Sequence, residues 1–199
     1  MTESVDESVV PAAAGLVRDF VNTHEPQVAA EALSSPQELE AWFDARGLLP
    51  PGNRLGSSDL AAALALREGL RQILLGHAGH DSDAGSLAAL DATLAELPMR
   101  LLVTAEGLRL LPANDVPRVR TFASIIDAIR ECEKDRTWTR LKVCARDTCR
   151  WAFYDASRNQ TRRWCSMAGC GNHVKMRRAY ATRRDRALSS TAPRTQPPT

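Results

Sequence analysis

Five cysteines occur in 199 residues, and none precedes Cys132. Four of them fall as Cys144-x4-Cys149 and, after fifteen residues, Cys165-x4-Cys170. Two short-range pairs at this separation are the sequence form of a four-thiolate zinc site, because each pair supplies two corners of a tetrahedron from one tight turn. Thiolates favour a soft or borderline cation, and zinc accepts a closed tetrahedral shell. The surrounding fifty residues hold few large apolar side chains, among them Leu141, Val143, Trp151, Phe153, Tyr154 and Trp164. So small a unit needs a staple, either a metal or disulfides. The acidic start MTESVDESVV carries no export signal, which favours a compartment where thiols stay reduced and hence the metal.

Other chemistry is less well supported. A catalytic thiol needs a positioned base and an orienting third group, and no Cys/His/Asp arrangement of that kind stands out, so the expectation is no enzyme. Cys132 lies in IIDAIRECEKD, seven residues after Ile125, and reads as a small buried residue beside Ile125 and Ile129. His173 follows Cys170 by three and is a conceivable extra ligand, but four cysteines already complete a shell. His77 and His80 sit in GHAGHDSDAG with Asp81 and Asp83, a stretch that reads as a solvated loop, with a ligand role as the alternative.

The charge is divided. Residues 1–137 hold 12 Lys and Arg against 21 Asp and Glu, a balance of −9, whereas 138–199 hold 14 against 3, a balance of +11. Of the 26 basic residues 23 are arginine, whose planar fork suits phosphate oxygens and guanine edges. A basic end of this strength points to a polyanion or an acidic protein face. No apolar run is long enough to span a bilayer, so the expected setting is cytoplasmic and nucleoid-associated, with no membrane partner.

The elements that must position these residues can be read in outline. Residues 12–22 form a short helix or an extended entry segment. Ser35-Pro36-Gln37-Glu38 is a capping box opening a helix that carries Leu39, Trp42 and Phe43 and should stop at Gly47. A second helix, capped by Ser57 or Ser58, carries Leu60, Leu64, Leu70 and Leu74. A third runs from about Ser86 to Leu97. MRLLVTAEGLRLL reads as a hairpin around Ala105-Glu106-Gly107, and a fourth helix runs from about Pro117 to Asp135. Between the cysteine pairs, Trp151–Tyr154 is expected to pair with Thr161–Trp164, with Arg158 at the tip and Arg162 and Arg163 on the return strand. NHVKMRRAYATRRDRA turns helical, and Met176, Tyr180 and Ala187 should pack on the metal unit. Lys175, Arg178 and Arg186 then line one flank, and His173, Arg177 and Arg184 the other. The amides around Gly171 and Asn172 at its start could meet a phosphate.

RRWCSMAGCGNHVKMRR at residues 162–178 closely resembles the signature of the CGNR zinc-finger family, bacterial stress-induced transcription regulators. Upstream, Cys144-x4-Cys149 followed by Trp151-x-Phe153-x-Asp155-x-Ser157-Arg158-Asn159 is similar in style, and LVRDFVNT at 16–23 looks like the family's companion domain. The resemblance implies Cys144, Cys149, Cys165 and Cys170 as ligands of a structural Zn2+ in a treble-clef-like unit, and binding to double-stranded DNA. One letter departs from the family name: His173 stands where Arg is expected, a shorter ring in place of a permanently charged fork.

The expected architecture is α+β. A mostly helical N-terminal domain with a β-hairpin (1–137) precedes a small four-Cys finger (138–187) and a disordered tail (188–199). The expected DNA contacts are Arg158, Arg162, Arg163, Asn172, His173, Lys175, Arg177, Arg178, Arg183 and Arg184. The N-terminal domain is expected to sense a small-molecule effector or to form a homodimer. Asp19, Asn22, Thr23 and His24 are either effector-pocket residues or helix caps. The rival reading is a zinc-clipped protein-interaction module, or an RNA binder stacking bases on its aromatic residues.

Overall fold

A computed structural model describes residues 10–190, with the side chains of Arg178, Ala181 and residues 184–190 outside that description. Helix α1 (Ala12–Val21) begins after Pro11 and turns Ala14, Val17, Phe20 and Val21 inward, so the entry segment is helical rather than extended. A two-residue pair, β1 (His24–Glu25) with β2 (Ala30–Glu31), leads to α2 (Pro36–Asp44). There Ser35 Oγ accepts from the Glu38 N–H at 3.2 Å, and the Glu38 carboxylate reaches back to the Ser34 N–H at 2.7 Å. The cap is the one expected, with its return bond one residue earlier than in the standard box.

Helix α3 (Ser57–His77) starts at Gly56 rather than at either serine, because the Asp59 carboxylate accepts from the Gly56 N–H at 2.7 Å. Helix α4 (Ala84–Ala95) is capped by Asp83 and crosses α3 so closely that a Cβ on Gly69 would lie 2.4 Å from that of Leu90. Strands β3 (Met99–Thr104) and β4 (Gly107–Pro112) form the expected hairpin, closing at Thr104 opposite Gly107. β4 lies along α5 (Pro117–Lys134), where Asp127 accepts from the Leu110 N–H. Phe20, Phe43 and Phe122 meet at centroid distances near 6 Å in the centre of this helical body. Cys132 is buried in the same core, and burial pushes its thiol up, as befits a packing residue.

After a short 3-10 turn (Trp138–Arg140) comes β5 (Leu141–Val143), antiparallel to β6 (Ala152–Tyr154). This corrects the expected hairpin: Trp151–Tyr154 pairs backwards with 141–143 and not forwards with 161–164. The apolar pattern of 151–154 does mark a strand, Ala152–Tyr154, but a three-residue partner interrupted by a lysine shows no periodicity in the sequence. Leu141, Val143, Ala152 and Tyr154 belong to the core of the helical body, so apolar packing runs without a break across residue 137. The chain then makes a π-turn (Met167–Gly171) and enters α6 (Asn172–Ser190).

The fold is α+β, with six α-helices and three two-stranded pairs among the described residues. No helix of the described residues is long and apolar enough to cross a membrane. Two expectations about α6 need correction. It continues through Ser190, past the expected tail boundary at 188, and residues 191–199 lie outside the described part. Met176 and Tyr180 do not pack on the finger: each is 73% exposed. Among the described residues the main packing partner of α6 is the turn immediately before it, and Met176 and Tyr180 are left exposed.

Candidate metal centre and nucleic-acid interface

Cys144 follows β5 and Cys149 closes a knuckle in which the Cys149 and Arg150 amides both donate to the Arg146 carbonyl. Arg150 takes a positive φ of 50° to turn the chain back into β6. The Cys144 N–H donates to Trp151 O, closing the hairpin. Cys165 and Cys170 approach from the other side, one before the π-turn and one inside it. In that turn Ser166 Oγ accepts from the Gly169 N–H at 3.2 Å, and Ser166 O accepts from the Gly171 N–H at 3.0 Å. A Cβ on Gly171 would sit 2.9 Å from the Met167 sulfur and 3.1 Å from the Trp164 ring. The W-C-S-M-x-x-C-G stretch is therefore one tight turn in which the serine, methionine and glycine each have a geometric reason.

The four sulfurs all lie within 4.8 Å of one another, with Cys149–Cys165 and Cys165–Cys170 at 3.7 Å. A tetrahedron with metal–sulfur bonds of about 2.3 Å has edges of about 3.8 Å, so these spacings fit one such ion. The donor set also calls for a dication. Hydrogen bonds from Cys149 and Cys165 hold the Cys144 thiol far down, while bonding to Cys144 pushes Cys149 up to about 12 and Cys165 higher still. Four thiolates this close cannot all ionise without a positive charge between them. Arg146 Nη1 lies 3.9 Å from Cys170 Sγ and adds a cation beside the cluster.

The loop joining the two cysteine pairs is organised by a buried ion pair that sequence reading did not find. Lys142 Nζ meets Asp155 Oδ2 at 2.8 Å, and both residues are buried. Asp155 also accepts from Ser157 N and Oγ and from the Arg162 N–H, and Lys142 donates to Gln160 O as well. Burial pushes the Asp155 carboxyl up, but the Lys142 ammonium and these donors outweigh it and hold it below its ordinary value. The return segment is tied to the knuckle by the Ala145 N–H donating to Arg163 O at 2.9 Å, not by a strand.

The predicted contact residues divide into groups. Arg162 is half-buried: its Nε donates to Trp164 O at 2.9 Å, its Nη2 donates to Cys165 O, and its guanidinium lies over the Phe153 ring, so it braces the second cysteine pair. Arg158, Arg163, Asn172, His173, Lys175, Arg177 and Arg183 are exposed. Arg158 stands in the Asp155–Gln160 loop, Arg163 beside Trp164, and the others along α6. The side chains of Arg178 and Arg184 lie outside the described residues.

A second set of residues fixes the finger to the helical body. Asn22, the C-cap of α1, exchanges two hydrogen bonds with the Ala152 backbone. Arg71, buried on α3, donates to Val21 O at 2.6 Å, His24 O at 3.1 Å and Arg150 O at 2.9 Å. His77 is not in a solvated loop: Nδ1 contacts Leu141 O at 2.9 Å and its ring meets Trp138 edge-on. Thr23 Oγ1 donates to Phe20 O, so the VNT stretch closes α1 and builds the seam. Asp19 and Asn22 also line a cleft of about 490 Å³ between α1 and the finger, with Trp151, Phe153 and Cys165 opposite.

Taken together, fold and site define a helical body carrying a four-cysteine finger, the finger's strand pair being built into the body's core. A family model described as putative stress-induced transcription regulator (ABATE) matches residues 14–151, and one described as CGNR zinc finger matches residues 140–184. The chain belongs to the ABATE family and carries the CGNR zinc finger. The two matches overlap on 140–151, the strand β5 and first knuckle that the core shares with the finger. No curated protein matches the chain.

Proposed function

We propose that the protein is a DNA-binding transcription regulator whose Cys144, Cys149, Cys165 and Cys170 hold one structural zinc ion, and that zinc fixes the turn from which α6 reaches the duplex. The observation that carries this reading is the basic helix α6. Lys175, Arg177 and Arg183 are exposed along it, its one carboxylate is Asp185, and among the described residues it packs chiefly on the turn before it. A helix with this charge and so little packing suits the major groove, with Arg158 and Arg163 on the flanking phosphates. Zinc supplies the positive charge that lets four thiols ionise together; the chain's own residues set the turn, the seam and the basic surface. No catalytic role is assigned.

The N-terminal domain is the regulatory part. The cleft lined by Asp19, Asn22, Trp151 and Phe153 supports effector sensing, since a ligand there would touch both units. The exposed Leu101, Val103 and Leu108 of the β3–β4 hairpin support self-association.

The test is binding of the zinc-loaded protein to duplex DNA across a salt series. Neutralising about six phosphates gives a log–log slope near −5. Affinity that ignores salt, or that survives replacement of Lys175, Arg177 and Arg183 by alanine, contradicts the reading. The interaction-module alternative then gains support if a protein partner is retained.

A further inference from the structure

Between the first cysteine knuckle, the start of α6 and the α3–α4 loop lies a groove of about 460 Å³ lined by His80, Arg146, Arg163, Trp164, His173 and Arg177. Three arginines and two histidines converge on it from four separate parts of the chain. The carboxylate on its lining, Asp147, is held by Arg150 at 2.8 Å. On these lining residues Arg146 Nε and His80 Nε2 are buried without a hydrogen-bond partner among the described residues. Buried nitrogens left unpaired cost free energy unless a ligand or water satisfies them. An oxyanion with several acceptor oxygens answers the surrounding positive charge, and reaches the two nitrogens once the side chains that cover them turn aside.

We propose that this groove is a phosphate-binding site shared by the two units, with His80 of the helical body and Arg146, Arg163 and Arg177 of the finger gripping one phosphate group. Under the proposed function that phosphate is a backbone phosphodiester of the duplex; for this source alone the inference rests on that reading. The site makes the helical body a direct contributor to anion contact through a residue outside the finger. It also gives Arg146 a role that the cysteine spacing alone does not suggest.

The experiment uses the full-length, zinc-loaded protein and two readouts: the His80 ring resonances during titration with inorganic phosphate, and duplex affinity across a salt series. Phosphate is expected to move the His80 resonances in the wild type and not in Arg146→Gln. His80→Phe is expected to weaken duplex binding three- to tenfold, and Arg146→Gln to reduce the log–log slope by about 0.9. A wild type that ignores duplex DNA while phosphate still moves His80 overturns the DNA reading and leaves the groove as a site for a small phosphorylated ligand. His80 unmoved by phosphate, with both variants at wild-type duplex affinity, overturns the groove itself. Should Arg146→Gln lose its zinc, His80→Phe decides alone, since His80 lies outside the finger.

Discussion

The side-chain amide of Asn22 holds the backbone of Ala152 at two points: Nδ2 donates to the carbonyl at 2.9 Å and Oδ1 accepts from the N–H at 2.8 Å. An amide used this way acts as one more strand residue on the edge of β6, and it joins the end of α1 to the finger across 130 positions of sequence. Asn22→Ala leaves both backbone groups of the buried Ala152 unpaired. The expected cost is about 1–3 kcal/mol in urea unfolding of the zinc-loaded protein. Asn22→Asp restores only the acceptor half and should fall between the two. Full stability in Asn22→Ala would show that the clasp does not hold the seam.

Removal of the metal should be felt by the whole chain. Leu141, Val143, Ala152 and Tyr154 belong to the helical body's core, and the knuckle between their strands carries Cys144 and Cys149. Structural zinc contributes about 10–16 kcal/mol of apparent binding free energy in small fingers. Chelation or Cys149→Ser is therefore expected to lower the melting temperature of the helical body as well as unravel the finger, measured by circular dichroism. A body that melts unchanged after complete metal loss would mean the two units are energetically separate.

Asp155→Asn is expected to destabilise the protein by about 3–5 kcal/mol, because it leaves the Lys142 ammonium buried without its counter-charge. The pH dependence has a definite sign. The Asp155 carboxyl is depressed in the folded state, so its contribution is complete above the unfolded value of about 3.9 and disappears as pH falls through the lower folded value. The stability gap between wild type and Asp155→Asn should therefore be constant near neutrality and narrow below about pH 4. A gap that does not change with acidification contradicts the assignment.

His173 is exposed at the first turn of α6 and lines the basic groove. His173→Arg restores the residue type in the family name and adds a permanent cation. The expected result is tighter duplex binding, with the log–log salt slope steeper by about 0.9. An unchanged slope would place position 173 outside the contact surface.

Much of this was legible in the residues. The metal centre could be read because ligand spacing is local: each x4 pair must come from one turn. The Ser35 cap and the hairpin around Gly107 could be read for the same reason, since both depend on neighbours three residues apart. The seam could not. Asn22 meets Ala152, Arg71 meets Arg150 and His77 meets Leu141 only after the chain has folded, and none of these residues belongs to a spacing rule. Lys142 reads as solvated by type, yet it is buried because Asp155, thirteen residues on, supplies the opposite charge. The exposed Met176 and Tyr180 misled in the other direction: the helical wheel fixes which residues share a face but not whether anything packs against it.

The central claim about the molecule is that zinc organises a basic surface that holds DNA. The most direct measurement is duplex affinity of the full-length protein by fluorescence anisotropy, taken zinc-loaded, after chelation and after zinc is returned. Salt-dependent binding that is lost with the metal and recovered with it is the expected result. Binding of equal strength in the zinc-free protein, or no binding by the zinc-loaded protein at low salt, would contradict it.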